Sequence, residues 1–184
     1  MRRVTQVLAE MFPFDDHGAS EEKRQFWLDR GTAVHAACEY NDKGTLDLSS
    51  VDDLIRPRLD AWRRFRLDIG GELIAIEAAV EHPRLAYCGR LDRVLRDCRC
   101  WYGGDVIVDI KSGKPMPHCA LQTMGYKMAW EAMHPRRRRR YRRCAVELRE
   151  TGKYDLTWFG EDDLDQAAWI ACLTIHAWKE RKGK

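Results

Sequence analysis

No apolar run in this chain approaches the roughly 20 residues that a helix needs to cross a bilayer. The N-terminus, MRRVTQVLAEMF, has neither the apolar core nor the small-residue cleavage site of a secretory signal. The expectation is a cytoplasmic protein, in a bacterium or, if phage-encoded, in its host. No C-x-x-C pair occurs among the seven cysteines, and Cys98-Arg99-Cys100, the tightest spacing, does not fit an ordinary zinc knuckle. An odd number of scattered cysteines points to reduced thiols packed in a core. Internal repeats are lacking, and so is low-complexity sequence apart from one arginine run.

What remains is globular in character. Of the 184 residues, 45% are apolar and 33% charged, which excludes a disordered chain and suits one ordinary domain. The net charge of +3 does not by itself call for nucleic acid, but PRRRRRYRR (135–143) concentrates positive charge in one place.

The periodicity divides the chain into a helical N-terminal part (1–68), a core (69–160) and a closing helix (161–184). A short helix begins near Thr5, and a longer one runs from Ser20 to about Tyr40 with Phe26, Ala33, Val34 and Ala37 on one buried face. Ser50-Val51-Asp52-Asp53 reads as a capping-box variant opening a third helix that ends near Arg66. Then the period shortens. Segments 72–82 and 85–97 read as strands joined by a turn at Pro83, and DVIVDIK (105–111) as a third. A helix follows over 118–133 and stops before Pro135. RCAVELRE and KYDLTWF form a hairpin about Thr151-Gly152, and a helix closes the chain. Strands and helices in that order make an α/β layer protein with a central mixed sheet.

The stretch VIVDIKSGK (106–114) is the most informative. Val106, Ile107, Val108 and Ile110 suit a buried strand, yet Asp109 and Lys111 sit at its end, where unpaired charge would be costly. Alternation puts the acid and the amine on one face. Such a pair can be a structural ion pair, or it can hold a divalent metal and position a water. Asp92, in Gly89-Arg90-Leu91-Asp92, can meet Asp109 across a ladder. His35 follows Gly31 by four residues on a helix, where glycine would permit close backbone approach. Gln122 and Tyr126 lie one helical turn apart. Each of these residues also has an ordinary structural reading: a core histidine, or a helix face bonded to neighbouring backbone.

In order along the chain, G-x-x-x-H (Gly31, His35), G-x-x-D (Gly89, Asp92), D-x-K (Asp109, Lys111) and Q-x-x-x-Y (Gln122, Tyr126) resemble the RecB-like nucleases of the PD-(D/E)XK phosphodiesterase superfamily. The resemblance spans about residues 5–160. It implies a single nuclease domain with a restriction-endonuclease-like core, a central mixed β-sheet flanked by helices. It further implies Asp92, Asp109, the backbone carbonyl of Ile110 and His35 as ligands of one or two Mg²⁺ or Mn²⁺ ions, with Glu77 a candidate for the second and Glu39 and Glu81 lesser ones. Lys111 is the implied catalytic lysine. Gln122 and Tyr126 would brace the site and touch DNA near the scissile phosphate, and the products would carry a 5′-phosphate and a 3′-hydroxyl.

Some relatives carry an iron–sulfur cluster, but Cys144 and Cys172 stand without a compact cysteine set, so none is expected. No G-x-x-x-x-G-K-[ST] loop or helicase motif occurs, so any ATP-driven unwinding would fall to a partner. Size and motifs are similar to phage-type recombination exonucleases. The leading expectation is therefore a metal-dependent DNA exonuclease acting in recombination, repair or phage DNA processing. The alternatives are a structure-specific or nicking endonuclease and a catalytically silent nucleic-acid-binding module. Duplex or single-stranded DNA is the expected partner, with a recombination protein or a second copy of the chain left open, and no membrane. Arg136, Arg137, Arg138, Arg139 and Arg140 are either a phosphate-binding patch or a solvated helix end. Trp101-Tyr102 is a candidate base-stacking pair.

Overall fold

The computed structural model describes residues 1–13, 18–99, 104–135 and 140–183. A two-residue strand β1 (Arg2–Arg3) leads into α1 (Val4–Met11), whose Val4, Val7 and Leu8 are buried. Helix α2 (Glu21–Asp42) starts where Ser20 accepts the Lys23 N–H, with Glu21 and Glu22 favourably placed in its first turn. Val34 and Ala37 are buried as expected, but Phe26 and Ala33 are exposed. Only the second half of α2 meets the core, through Val34, Ala37 and Cys38; Phe26 instead lies under the Arg30 guanidinium.

The third helix, α3 (Arg56–Ile69), starts five residues later than the capping pattern at Ser50 suggests. Two aspartates take the preceding backbone into turns. Asp47 accepts the Ser49 N–H at the head of a 3₁₀ turn (Leu48–Ser50), and Asp52 accepts the Leu54 N–H at 2.7 Å. Pro57 then sits in the first helical turn, where its missing N–H costs nothing.

Strands β2 (Glu72–His82), β3 (Tyr87–Arg96), β4 (Asp105–Lys111), β5 (Tyr141–Leu148) and β6 (Tyr154–Phe159) follow, with α4 (Cys119–Met133) between β4 and β5 and α5 (Asp162–Lys182) last. The sheet is mixed: β2, β3 and β4 are successively antiparallel, β4 and β5 parallel, β5 and β6 antiparallel. β1 joins β3 in parallel at Tyr87 and Cys88, a sixth strand too short to leave a sequence pattern. The parallel β4–β5 step needs a crossover, and α4 supplies it.

Helices cover both faces. Trp62, Phe65, Val34 and Ile55 pack with Val108, Ile110 and Val146 on one side. On the other, Val4, Val7, Met124 and Trp169 pack with Leu91, Val94 and Ile107. Among the described residues the protein is thus a mixed α/β structure with a central mixed sheet of six strands flanked by five helices, consistent with a restriction-endonuclease-like fold.

Candidate active site

The site begins where the β3–β4 ladder stops. Its last ladder pair is Arg93 with Val108, so Asp92 and Asp109 would come next. They do not pair through the backbone. The Asp92 carboxylate instead accepts the Ile110 N–H at 2.6 Å, a bond made inside the protein with Asp92 almost wholly buried. The strands thereby splay at the residues that carry charge.

On the far side of β3, Glu77 lies opposite Asp92 and has φ of +46°, left-handed backbone that a non-glycine residue in a strand rarely adopts. Arg93 holds its carboxylate at 2.9 Å and Arg90 at 3.0 Å. From α2, His35 places Nδ1 3.6 Å from Glu77 Oε1 and 3.8 Å from Asp92 Oδ1, and its Nε2 lies 3.0 Å from the Ile110 carbonyl. His35, Glu77 and Asp92 each offer a donor atom, all within 4.8 Å of one another. One nitrogen and two hard oxygens, beside a backbone carbonyl, are a donor set that suits a divalent cation.

A second group hangs from β4 and α4. Lys111 Nζ is 2.8 Å from Asp109 Oδ2 and 3.1 Å from the Gln122 side-chain oxygen. The Gln122 amide nitrogen donates to Asp109 Oδ1 at 3.1 Å and contacts the Tyr126 hydroxyl at 3.2 Å. Asp109 is therefore held by Lys111 and Gln122, and among the described residues it stands beside, not within, the His35–Glu77–Asp92 group. The two groups are joined through one peptide: Ile110 gives its N–H to Asp92 and its carbonyl to His35, between Asp109 and Lys111.

Electrostatics follow from this packing. Burial alone would lower the pKa of His35, but Asp92, Glu77 and Asp109 raise it to about 9. Burial pushes Asp92 up, and the neighbouring Asp109 and Glu77 carboxylates add to the rise, while His35 and Lys111 oppose it. For Glu77 burial acts upward too, yet His35 and Arg93 hold it below the ordinary carboxylate range. Burial acts to lower Lys111, and Asp109, Cys119 and Asp92 raise it above an ordinary lysine. Three carboxylates crowd one region, and the His35 imidazole, the Lys111 ammonium and the Arg93 guanidinium balance them.

Glycine at 89 has a physical reason. A Cβ there would stand 2.6 Å from Cε1 of the Tyr126 ring, so the absence of a side chain on β3 lets α4 approach and Tyr126 reach Gln122. Gly31 has less: a Cβ would meet Ser112 Oγ at 3.6 Å, ordinary contact, so the close approach expected at that position is not required. A cleft of about 540 Å³ opens beside His35, Glu77, Ile110 and Lys111, with Arg90, Glu39 and Ser112 on its wall. Glu39 is bound to Lys43, and Glu81 is exposed and outside the cleft lining. Arg140 is exposed just before β5. Arg136, Arg137, Arg138 and Arg139, like Trp101 and Tyr102, lie outside the described residues.

Sequence reasoning missed Arg93. It is fully buried, joins Glu77 to Asp42 of α2, and stacks over Trp62. The available signal was an arginine directly after Asp92 and before the apolar pair Val94-Leu95.

No protein-family model matches the chain, and no curated protein matches it in sequence. Among solved structures, the chain is similar to an alkaline exonuclease (LHK-Exo) from Laribacter hongkongensis. Identity there is 14% and the TM-score 0.44, over 98% of this chain and 92% of that chain. It is also similar to LHK-Exo in complex with dAMP, at 15% identity and a TM-score of 0.42, over 99% of this chain and 93% of that chain.

Proposed function

We propose that this chain is a Mg²⁺- or Mn²⁺-dependent deoxyribonuclease that hydrolyses phosphodiester bonds from DNA ends. The observation that carries the reading is the arrangement about Ile110. One peptide separates a buried carboxylate–imidazole group (Asp92, Glu77, His35) from a lysine held by a carboxylate and an amide (Lys111, Asp109, Gln122).

In this reading His35, Glu77 and Asp92 hold the cation, with Asp109 and the Ile110 carbonyl as adjoining donors. A bound divalent ion would supply Lewis-acid stabilisation of the phosphate charge and a more acidic water. The rest is done by side chains. Lys111 remains an ammonium beside Asp109, so it acts as a donor that orients the attacking water in line with the scissile bond, and not as a base. Gln122 fixes Lys111 through its carbonyl and Asp109 through its amide, leaving Tyr126 to fix Gln122. Arg90, on the cleft wall with its side chain 63% exposed, offers a cation to the DNA backbone.

Preference for ends rests on the motif resemblance. An endonuclease built on the same site is the alternative. The experiment compares end-labelled linear duplex, single strand and closed circular plasmid with Mg²⁺, Mn²⁺ or EDTA, beside Lys111→Ala. Metal-dependent loss of linear DNA alone, absent in the variant, is the expected result. Cutting of the circle would replace the exonuclease with the endonuclease. Binding without cleavage in either metal would overturn both.

A further inference from the structure

Helix α5 is amphipathic twice over. Its inner face, Trp169, Cys172, Leu173 and His176, is buried, and Trp169 meets Tyr87 edge-on at 5.1 Å. The outer face carries a second apolar stripe, Leu164, Ala167, Ala171, Ile175 and Trp178, spaced by three or four residues and so aligned along one side. Leu164 is 63% exposed, Ile175 46% and Trp178 59%. Nothing among the described residues covers them.

The stripe is symmetric about Ala171. Leu164 and Trp178 lie equally far from it on either side, as do Ala167 and Ile175. Charge follows the same centre: Asp162, Asp163 and Asp165 occupy the first turn of α5, and Lys179, Arg181 and Lys182 the last. A face that is to meet its own copy across a two-fold axis needs this self-complementarity in size and sign. We infer that α5 is a homodimer interface, pairing antiparallel with α5 of a second copy about Ala171. Leu164 then packs on Trp178 and Ala167 on Ile175, while the small Ala171 lets the helices close at the axis. At the flanks Asp163 faces Arg181, and Glu161 faces Lys179, whose ammonium already touches Glu10 of its own chain at 2.8 Å.

One helix pair is a small interface, so dissociation in roughly the micromolar range is expected. Sedimentation velocity of the full chain, from about 1 to 100 µM, reads it directly. The expected result is a shift from the 21.5 kDa monomer to twice that mass. Ala171→Glu puts two like charges at the axis, and Ile175→Glu buries one against Ala167; each is expected to raise the dissociation constant at least about tenfold. Both positions are exposed, and far-UV circular dichroism would verify that the variants fold. Asp163→Arg weakens the dimer, and adding Arg181→Asp restores it, which only the antiparallel arrangement demands. A monomer at all concentrations, an oligomer unmoved by both glutamates, or no recovery in the double variant would each overturn the inference. None of these readouts depends on nuclease activity.

Discussion

Asp92 takes the Ile110 N–H at 2.6 Å at the point where the β3–β4 ladder ends, so one carboxylate both closes the sheet's hydrogen bonding and faces His35. Its two roles are separable. Asp92→Asn keeps an oxygen for Ile110, and its stability should stay within about 1 kcal/mol of the parent while cleavage and metal binding are lost. Asp92→Ala leaves a buried N–H without a partner and should cost about 1–3 kcal/mol as well. Denaturant unfolding and titration calorimetry with Mn²⁺ distinguish the two; equal stabilities would mean that the Ile110 bond contributes little.

Lys111→Ala should lower cleavage by about 10²–10³-fold. Metal binding should persist, since Lys111 lies outside the His35–Glu77–Asp92 group. Gln122→Glu is expected to be worse than Gln122→Ala, because it sets a carboxylate against Asp109 Oδ1, where an amide now donates. Steady-state rates beside Mn²⁺ affinities test this, and a glutamate variant more active than the alanine one would contradict it.

Gly89→Ala forces its Cβ against the Tyr126 ring and, at 3.3 Å, Val4. Overpacking of this kind costs about 1–3 kcal/mol. Tyr126 must move, so the bond to Gln122 and the rate should suffer together. A variant with lowered thermal stability but full activity would show that Tyr126 does not brace Gln122 in turnover.

The His35 pKa of about 9 sets the pH dependence of metal binding. Below that value the metal-free protein carries a proton on the imidazole that a cation must displace. Affinity should therefore rise with pH, by about tenfold per unit between 7 and 9, and level off above. Calorimetry in buffers of different ionisation enthalpy would report the released proton. Affinity independent of pH over that window would mean that metal binding displaces no proton from His35 there.

The sequence was most legible where charge interrupts an apolar pattern. Asp109 and Lys111 stand out in VIVDIKSGK because burial there needs partners, and the structure provides them. The helix at 118–133 and the hairpin about Gly152 were equally plain, the latter because Gly152 takes φ of +74° in the turn. Glu77 was harder to weigh: its place opposite Asp92 depends on register and on a left-handed backbone that no local pattern encodes. The start of α3 was misplaced because Asp47 and Asp52 use for turns the same side-chain chemistry that caps helices. Phe26 was misread because periodicity marks a face but not where along a helix the core ends.

Arg93 binds Asp42, near the end of α2, and Glu77 of the site with the same guanidinium. Asp42 in turn accepts the Trp62 indole N–H at 2.9 Å, so α2, α3 and the sheet meet at one buried charge. The helix that carries His35 therefore cannot lift from the sheet without breaking the Arg93–Asp42 pair and leaving that buried guanidinium with Glu77 as its remaining carboxylate partner. Loss of the donor group and detachment of α2 become a single cooperative opening, and amides in the second half of α2 should exchange with solvent in step with the site rather than ahead of it.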